Sequence, residues 1–85
     1  MSEHSILAVA SIVMAALTIA VGAVGAAIGE SRIAAASMDA LARQPDEASS
    51  ITRNQFVALA MVESTAIFCL VISLVLLFAN PFIAR

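Results

Sequence analysis

The sequence predicts an all-α membrane protein, a hairpin of two transmembrane helices, and three observations carry that reading. The composition is 62% apolar, without Trp or Tyr, and the mean hydropathy is +1.06, far from an average soluble domain. No charged residue occurs in the 23 positions from Ile6 to Ile28, and Glu63 alone interrupts the 24 positions from Phe56 to Ala79. As a helix rising 1.5 Å per residue, either run crosses the ~30 Å of a bilayer's hydrocarbon. Between them lies one polar stretch, "SMDALARQPDEASSITRNQ", in which twelve of nineteen residues are charged, amide or hydroxyl.

The whole chain, 1–85, reads as one unit. Helix one is expected over about 5–42. A secretory signal peptide is the alternative for its apolar run, but the flank "MSEH" lacks a basic n-region and the run exceeds the usual h-region. The polar loop falls at about 43–48, because Pro45 disfavours helix at Gln44 and suits the first turn of a new one. Asp39 and Arg43 form an i,i+4 pair with the cation nearer the C-terminus of helix one, and Asp46 and Glu47 lie at the N-terminal end of the next helix. Helix two is expected over about 49–79, ended by Asn80-Pro81, with a tail at 80–85. Both termini then lie on one side. Arg43 and Arg53 by the loop outweigh Arg85 in the tail, which favours a cytoplasmic loop.

Two helices have little core of their own, and 85 residues cannot enclose a pathway, so function requires an assembly. Helix one fits this. "AVGAVGAAIGES" puts Ala23, Gly25, Ala27, Gly29 and Ser31 at every second position, and Gly22, Gly25 and Gly29 form a seam at helical spacing. Small residues let backbones approach closely, which drives helix association in lipid.

At about 100° per residue, Ala23, Ala26, Ala27, Ala34 and Ser37 share a face with Glu30. Glu63 is flanked by Leu59 and Ile67, with Ala60 and Ala66 at the edges and Phe56 and Leu70 extending the stripe. Counted from the loop, the two glutamates lie at one depth. An ionised carboxylate in hydrocarbon costs at least ~2.5 kcal/mol, and such residues mark ion or proton pathways. Two of them ~4 Å apart at an effective dielectric near 20 repel by about 4 kcal/mol, so the pair is expected to hold a proton or a cation. A fixed hydrogen bond or snorkelling is the alternative, harder for Glu63 in mid-run than for Glu30, which stands two residues from Arg32.

Other functions are disfavoured. A net charge of -2 suggests no nucleic-acid partner. The single cysteine, Cys69, reads as a small packing residue and His4 as a terminal one. No nucleophile and base, phosphate loop or zinc spacing is present, so neither catalysis nor a cofactor is expected.

"ARQP" at Ala42 to Pro45, "VESTAIF" at Val62 to Phe68 and "FANPF" at Phe78 to Phe82 resemble the c subunit, or proteolipid, of F-type rotary ATP synthases. The resemblance covers essentially the whole chain. Glu30, where many relatives carry an apolar residue or Gln, is similar to the double-carboxylate pattern of the N-type subgroup. The resemblance implies a homo-oligomeric ring in a bacterial inner membrane, with helix one inside and helix two outside. Glu63 would load and unload one ion per subunit as the ring passes an arginine of the a subunit. Arg43, Gln44 and Pro45 would meet the central stalk on the cytoplasmic side.

Two departures matter. Ala23, Ala27 and Ser31 replace glycines of the family's pattern, which implies inner helices held farther apart and a ring of more subunits. "EST" at Glu63 to Thr65 resembles the sodium-binding motif, in which Ser64, the Met61 carbonyl and a water on Thr65 would help ligate Na+, with Glu30 in the place of a Gln. Phe68, however, stands where that motif commonly has Tyr, and it has no hydroxyl to orient Glu63. A hard cation needs several arranged oxygens, whereas a proton needs one carboxylate that retains it. The coupling ion is therefore read as H+, with Na+ the alternative. From other classes, a small proton-coupled multidrug transporter would need more spans and aromatic residues near the site. A pore-forming or scaffold hairpin of the holin kind would tolerate loss of Glu63.

Overall fold

The computed structural model describes residues 2–83; Arg85, used above in the charge count, and the end of the expected tail lie outside the described residues. Helix α1 spans Glu3–Arg43, a 3-10 turn covers Pro45–Glu47, and helix α2 spans Ala48–Phe78. The two helices pack as an antiparallel hairpin 64 Å long and 17 by 10 Å across.

Each boundary has a local cause. The start of α1 lies two residues ahead of the expected position because Ser2 is an N-cap: its side chain accepts a hydrogen bond from the Ser5 N–H, with Glu3 in the first turn. At the other end the Gln44 N–H donates to Ala40, and Arg43 pairs with Asp39 at 2.8 Å. Gln44 then leaves helical geometry ahead of Pro45. Asp46 and Glu47 belong to the 3-10 turn that Pro45 opens, just ahead of α2. Beyond α2, Ala79 closes the last turn on Val75, and Asn80 turns the chain by accepting from the Phe82 N–H.

Small side chains set the seam between the helices. Its half-buried or buried positions recur every 11 residues: Ser11, Gly22 and Ile33 on one line of α1, Ile51, Val62 and Ser73 on one line of α2. Eleven residues make three turns at 3.67 per turn, close to the natural 3.6, so the stripe hardly drifts. A Cβ built on Gly22 would meet Cys69 Sγ at 2.6 Å, and one on Gly29 would meet Val62 at 3.6 Å. The expected single seam of Gly22, Gly25 and Gly29 is thus divided. A Cβ on Gly25 meets nothing, because that residue lies about 60° round the helix from Gly22.

Two hydrogen bonds tie the helices at the terminal end. Ser73 donates from Oγ to the Ala15 carbonyl at 2.7 Å, and Asn80 donates from Nδ2 to Ser11 Oγ. Ala15, Ser73 and Asn80 are the buried side chains among the described residues. Large apolar groups point outward all round, Val21 and Met61 at 69% exposure and Phe68 at 71%. Such a surface belongs in lipid or against further copies, and both helices are long and apolar enough to cross a membrane.

Candidate functional site

The hairpin register brings the two glutamates together. Gly22 lies opposite Cys69, Gly29 opposite Val62, and Ser11 opposite Asn80, so seven residues along one helix match seven along the other. In this register Glu63 is about two residues, roughly 3 Å, farther from the loop than the level of Glu30. Side chains on a helix tilt toward its N-terminus, so in antiparallel helices Glu30 leans away from the loop and Glu63 toward it. The tilts close the offset, and both side chains line the same groove.

They meet in a groove of about 260 Å³ on one flank of the hairpin. Its α1 wall is Ile19, Ala23, Ala26, Ala27 and Glu30, and its α2 wall is Glu63, Ala66, Ile67 and Leu70. Three of the small residues expected around Glu30 are there, as are Ala66, Ile67 and Leu70 beside Glu63. Leu59, Ala60 and Phe56 are not, and Ala34 is absent too. Ser37 lines a separate loop-side groove with Ile33, Asn54 and Gln55. Ile19 was missed because it lies three turns from Glu30, although 11 residues return it to within about 20° of the same face.

One hairpin does not gather the other residues of "VESTAIF" around the pair. Met61, Ser64, Thr65 and Phe68 are exposed and none lines the groove. The Ser64 hydroxyl donates to the Ala60 carbonyl at 2.9 Å, one turn back along its own helix. Among the described residues no cluster of three or more His, Cys, Asp or Glu side chains could hold a metal ion. Two carboxyls lining one apolar groove have the chemistry to share a proton or a small cation. At the loop, Arg43 and Gln44 line a groove of about 340 Å³ with Asp39 and Ile51, and Pro45 is exposed beside them.

Residues 13–76 match the family of ATP synthase c subunits. The chain is 55% identical over 74 residues to the second ATP synthase c subunit of Cereibacter sphaeroides, covering 87% of this chain and 89% of the relative. It is 49% identical over 73 residues to the ATP synthase c subunit of a Synechococcus strain, with 86% and 90% covered, and 42% identical over 67 residues to that of Petrotoga mobilis, with 79% and 70% covered. With its two-helix apolar hairpin and a match across most of its length, the chain belongs to the family of ATP synthase c subunits.

Proposed function

We propose that this chain is the rotor-ring subunit of a membrane ATP synthase or ATPase and that Glu63 carries one H+ per subunit. Members of this family are non-catalytic and ion-carrying, and they form a ring within the complex. The observation that carries the reading is the groove in which Glu30 and Glu63 meet, walled by alanines and aliphatic side chains at the middle of two apolar helices. Glu63 is exposed on the flank and Glu30 is half-buried behind it. Glu63 is thus the group that a partner in the membrane reaches, and Glu30 the group that shares its proton. This is the double-carboxylate pattern of the N-type subgroup.

The choice of H+ over Na+ is supported by the side chains that follow Glu63 on α2. The Ser64 hydroxyl is engaged with Ala60, and Phe68 is exposed and has no donor to orient Glu63. A sodium site would need Ser64, Thr65 and the Met61 carbonyl from a neighbouring hairpin. The partners on this reading are further copies of the chain, an a subunit that presents an arginine to Glu63, and a central stalk at Arg43, Gln44 and Pro45. The loop then faces the cytoplasm of a bacterial inner membrane.

The test is carbodiimide modification of Glu63 in the purified assembly, followed across pH with and without Na+. Labelling that falls as pH rises and ignores Na+ is the expected result. Protection by Na+ that strengthens with pH overturns the proton assignment and makes "EST" with Glu30 a sodium site. Separately, Glu63→Gln is expected to abolish ATP-driven ion pumping completely, and pumping that survives it would overturn the rotor reading.

A further inference from the structure

The groove brings Glu30 and Glu63 to one flank of the hairpin, and that depends on the rotational setting of α2. Relative to the seam, Glu30 lies about 60° round α1 from Ala15, and Glu63 lies about 80° round α2 from Ser73. Because the helices are antiparallel, both displacements fall on the same flank. Rotating α2 outward by a fraction of a turn would carry Glu63 away from Glu30 and would also move Cys69 off Gly22. The walls offer little resistance, since Ala23, Ala26 and Ala27 present only methyl groups. The fit of Cys69 at Gly22 sets how closely the helices approach, and a directional contact nearer the termini fixes the angle.

Polar side chains within the spans differ in one respect. Thr18 donates to Met14, Ser31 to Ile28 and Ser64 to Ala60, each satisfying its hydroxyl on its own helix. Ser73 has the same option and does not use it. Its hydroxyl crosses to the Ala15 carbonyl at 2.7 Å, and it is buried to 4% exposure against the most buried apolar residue described, Ala15 at 2%. A serine hydroxyl reaches one bond beyond Cβ, so this contact forms only when the Ser73 Cβ points straight at α1. From Ala48 to Phe78 α2 has neither Gly nor Pro. It is a continuous helix, and its angle at Ser73 is transmitted to Glu63, ten residues away.

We infer that Ser73, through the hydrogen bond it donates to Ala15, is the positioning residue that fixes the rotation of α2 so that Glu63 faces Glu30. This deepens the proposed function and rests on its assignment of the two carboxyls. Among the described residues, the titratable group facing Glu63 is Glu30 on α1; Cys69, on α2, faces Gly22 instead.

The test measures coupling between the glutamates, not pumping. In membranes containing the assembled protein, the carbodiimide modification rate mapped to Glu63 is followed across pH for the unsubstituted chain, Glu30→Gln, Ser73→Ala and the double variant. With Ser73 present, Glu30→Gln is expected to change the rate at neutral pH by about threefold or more, as side chains in contact do. In the Ser73→Ala background that effect is expected to fall by at least half, and Ser73→Thr, which keeps the hydroxyl, is expected to restore it. An effect of Glu30→Gln that is equal in both backgrounds, or absent with Ser73 in place, overturns the inference. If Ser73→Ala fails to accumulate, Ser73→Cys supplies the same size with a much weaker donor and is expected to show the same loss. Failure of the ion-carrier reading registers elsewhere, as pumping that survives Glu63→Gln, and leaves this coupling readout intact.

Discussion

Gly22 is the residue at which the hairpin has no room to spare. A Cβ there would sit 2.6 Å from the Cys69 sulfur and 2.7 Å from the Cys69 Cβ, distances that force the helices apart. Gly29 is different, because a Cβ would make ordinary contact with Val62 at 3.6 Å, and at Gly25 it would meet open space. Within one hairpin, Gly22→Ala is therefore expected to lower the stability of the assembly by about 1 to 3 kcal/mol, the usual cost of overpacking. Because the obstruction comes from both Cβ and Sγ of one partner, Cys69→Gly is expected to restore most of the loss, read as resistance of the assembled protein to detergent dissociation. Equal loss with and without Cys69→Gly would place the obstruction elsewhere. Cys69 thus acts by its shape, facing the one residue small enough to admit it.

At the scale of the elements, the two helices are held by different means at their two ends. The covalent turn at Pro45 joins them at the loop, while Ser73 and Asn80 join them at the termini. Asn80 donates to Ser11 and to the Leu76 carbonyl and accepts from the Phe82 N–H, so one side chain caps α2, turns the chain and ties it to α1. Asn80→Ala is expected to weaken the hairpin by about 0.6 to 2 kcal/mol, the range for a polar contact between membrane helices. The loss should appear as increased proteolysis after Phe78, with no change at the loop. Much of this architecture was legible in the sequence: both spans, the break at Pro45 and two carboxylates near one depth follow from hydropathy, proline stereochemistry and the helical rise. Ser73 was not legible, since a serine in an apolar run can satisfy itself on its own helix, as Ser64 does. The division of the glycines was missed for a related reason. Spacing places Gly22, Gly25 and Gly29 near one face, but only the position of the partner helix tells which of them it covers.

For the whole molecule, the decisive fact is that almost nothing is buried. Ala15 is the one buried apolar side chain among the described residues, while Val21, Met61 and Phe68 are exposed. Lipid tails are as apolar as these side chains, so copies associate through close packing of small residues more than through any hydrophobic gain. Gly22 and Gly29 are already used inside the hairpin, which leaves Gly25 and, toward the Glu30 flank, Ala23, Ala27 and Ser31, all exposed, for contact with the next copy. On the reading that places α1 on the inside of the ring, the spacing of the inner helices fixes the circumference, and so the number of copies that closes it. Each of these three side chains adds bulk where glycine would allow nearer approach. The chain is therefore expected to close a larger ring than a homologue with glycine at all three positions, and the triple change Ala23→Gly, Ala27→Gly and Ser31→Gly is expected to reduce the count by at least one. Intact-mass measurement of the purified ring, or direct counting by microscopy, decides it. An unchanged or larger count would mean that the outer helices set the spacing. The small residues of α1 would then serve the groove around Glu30 and not the circumference.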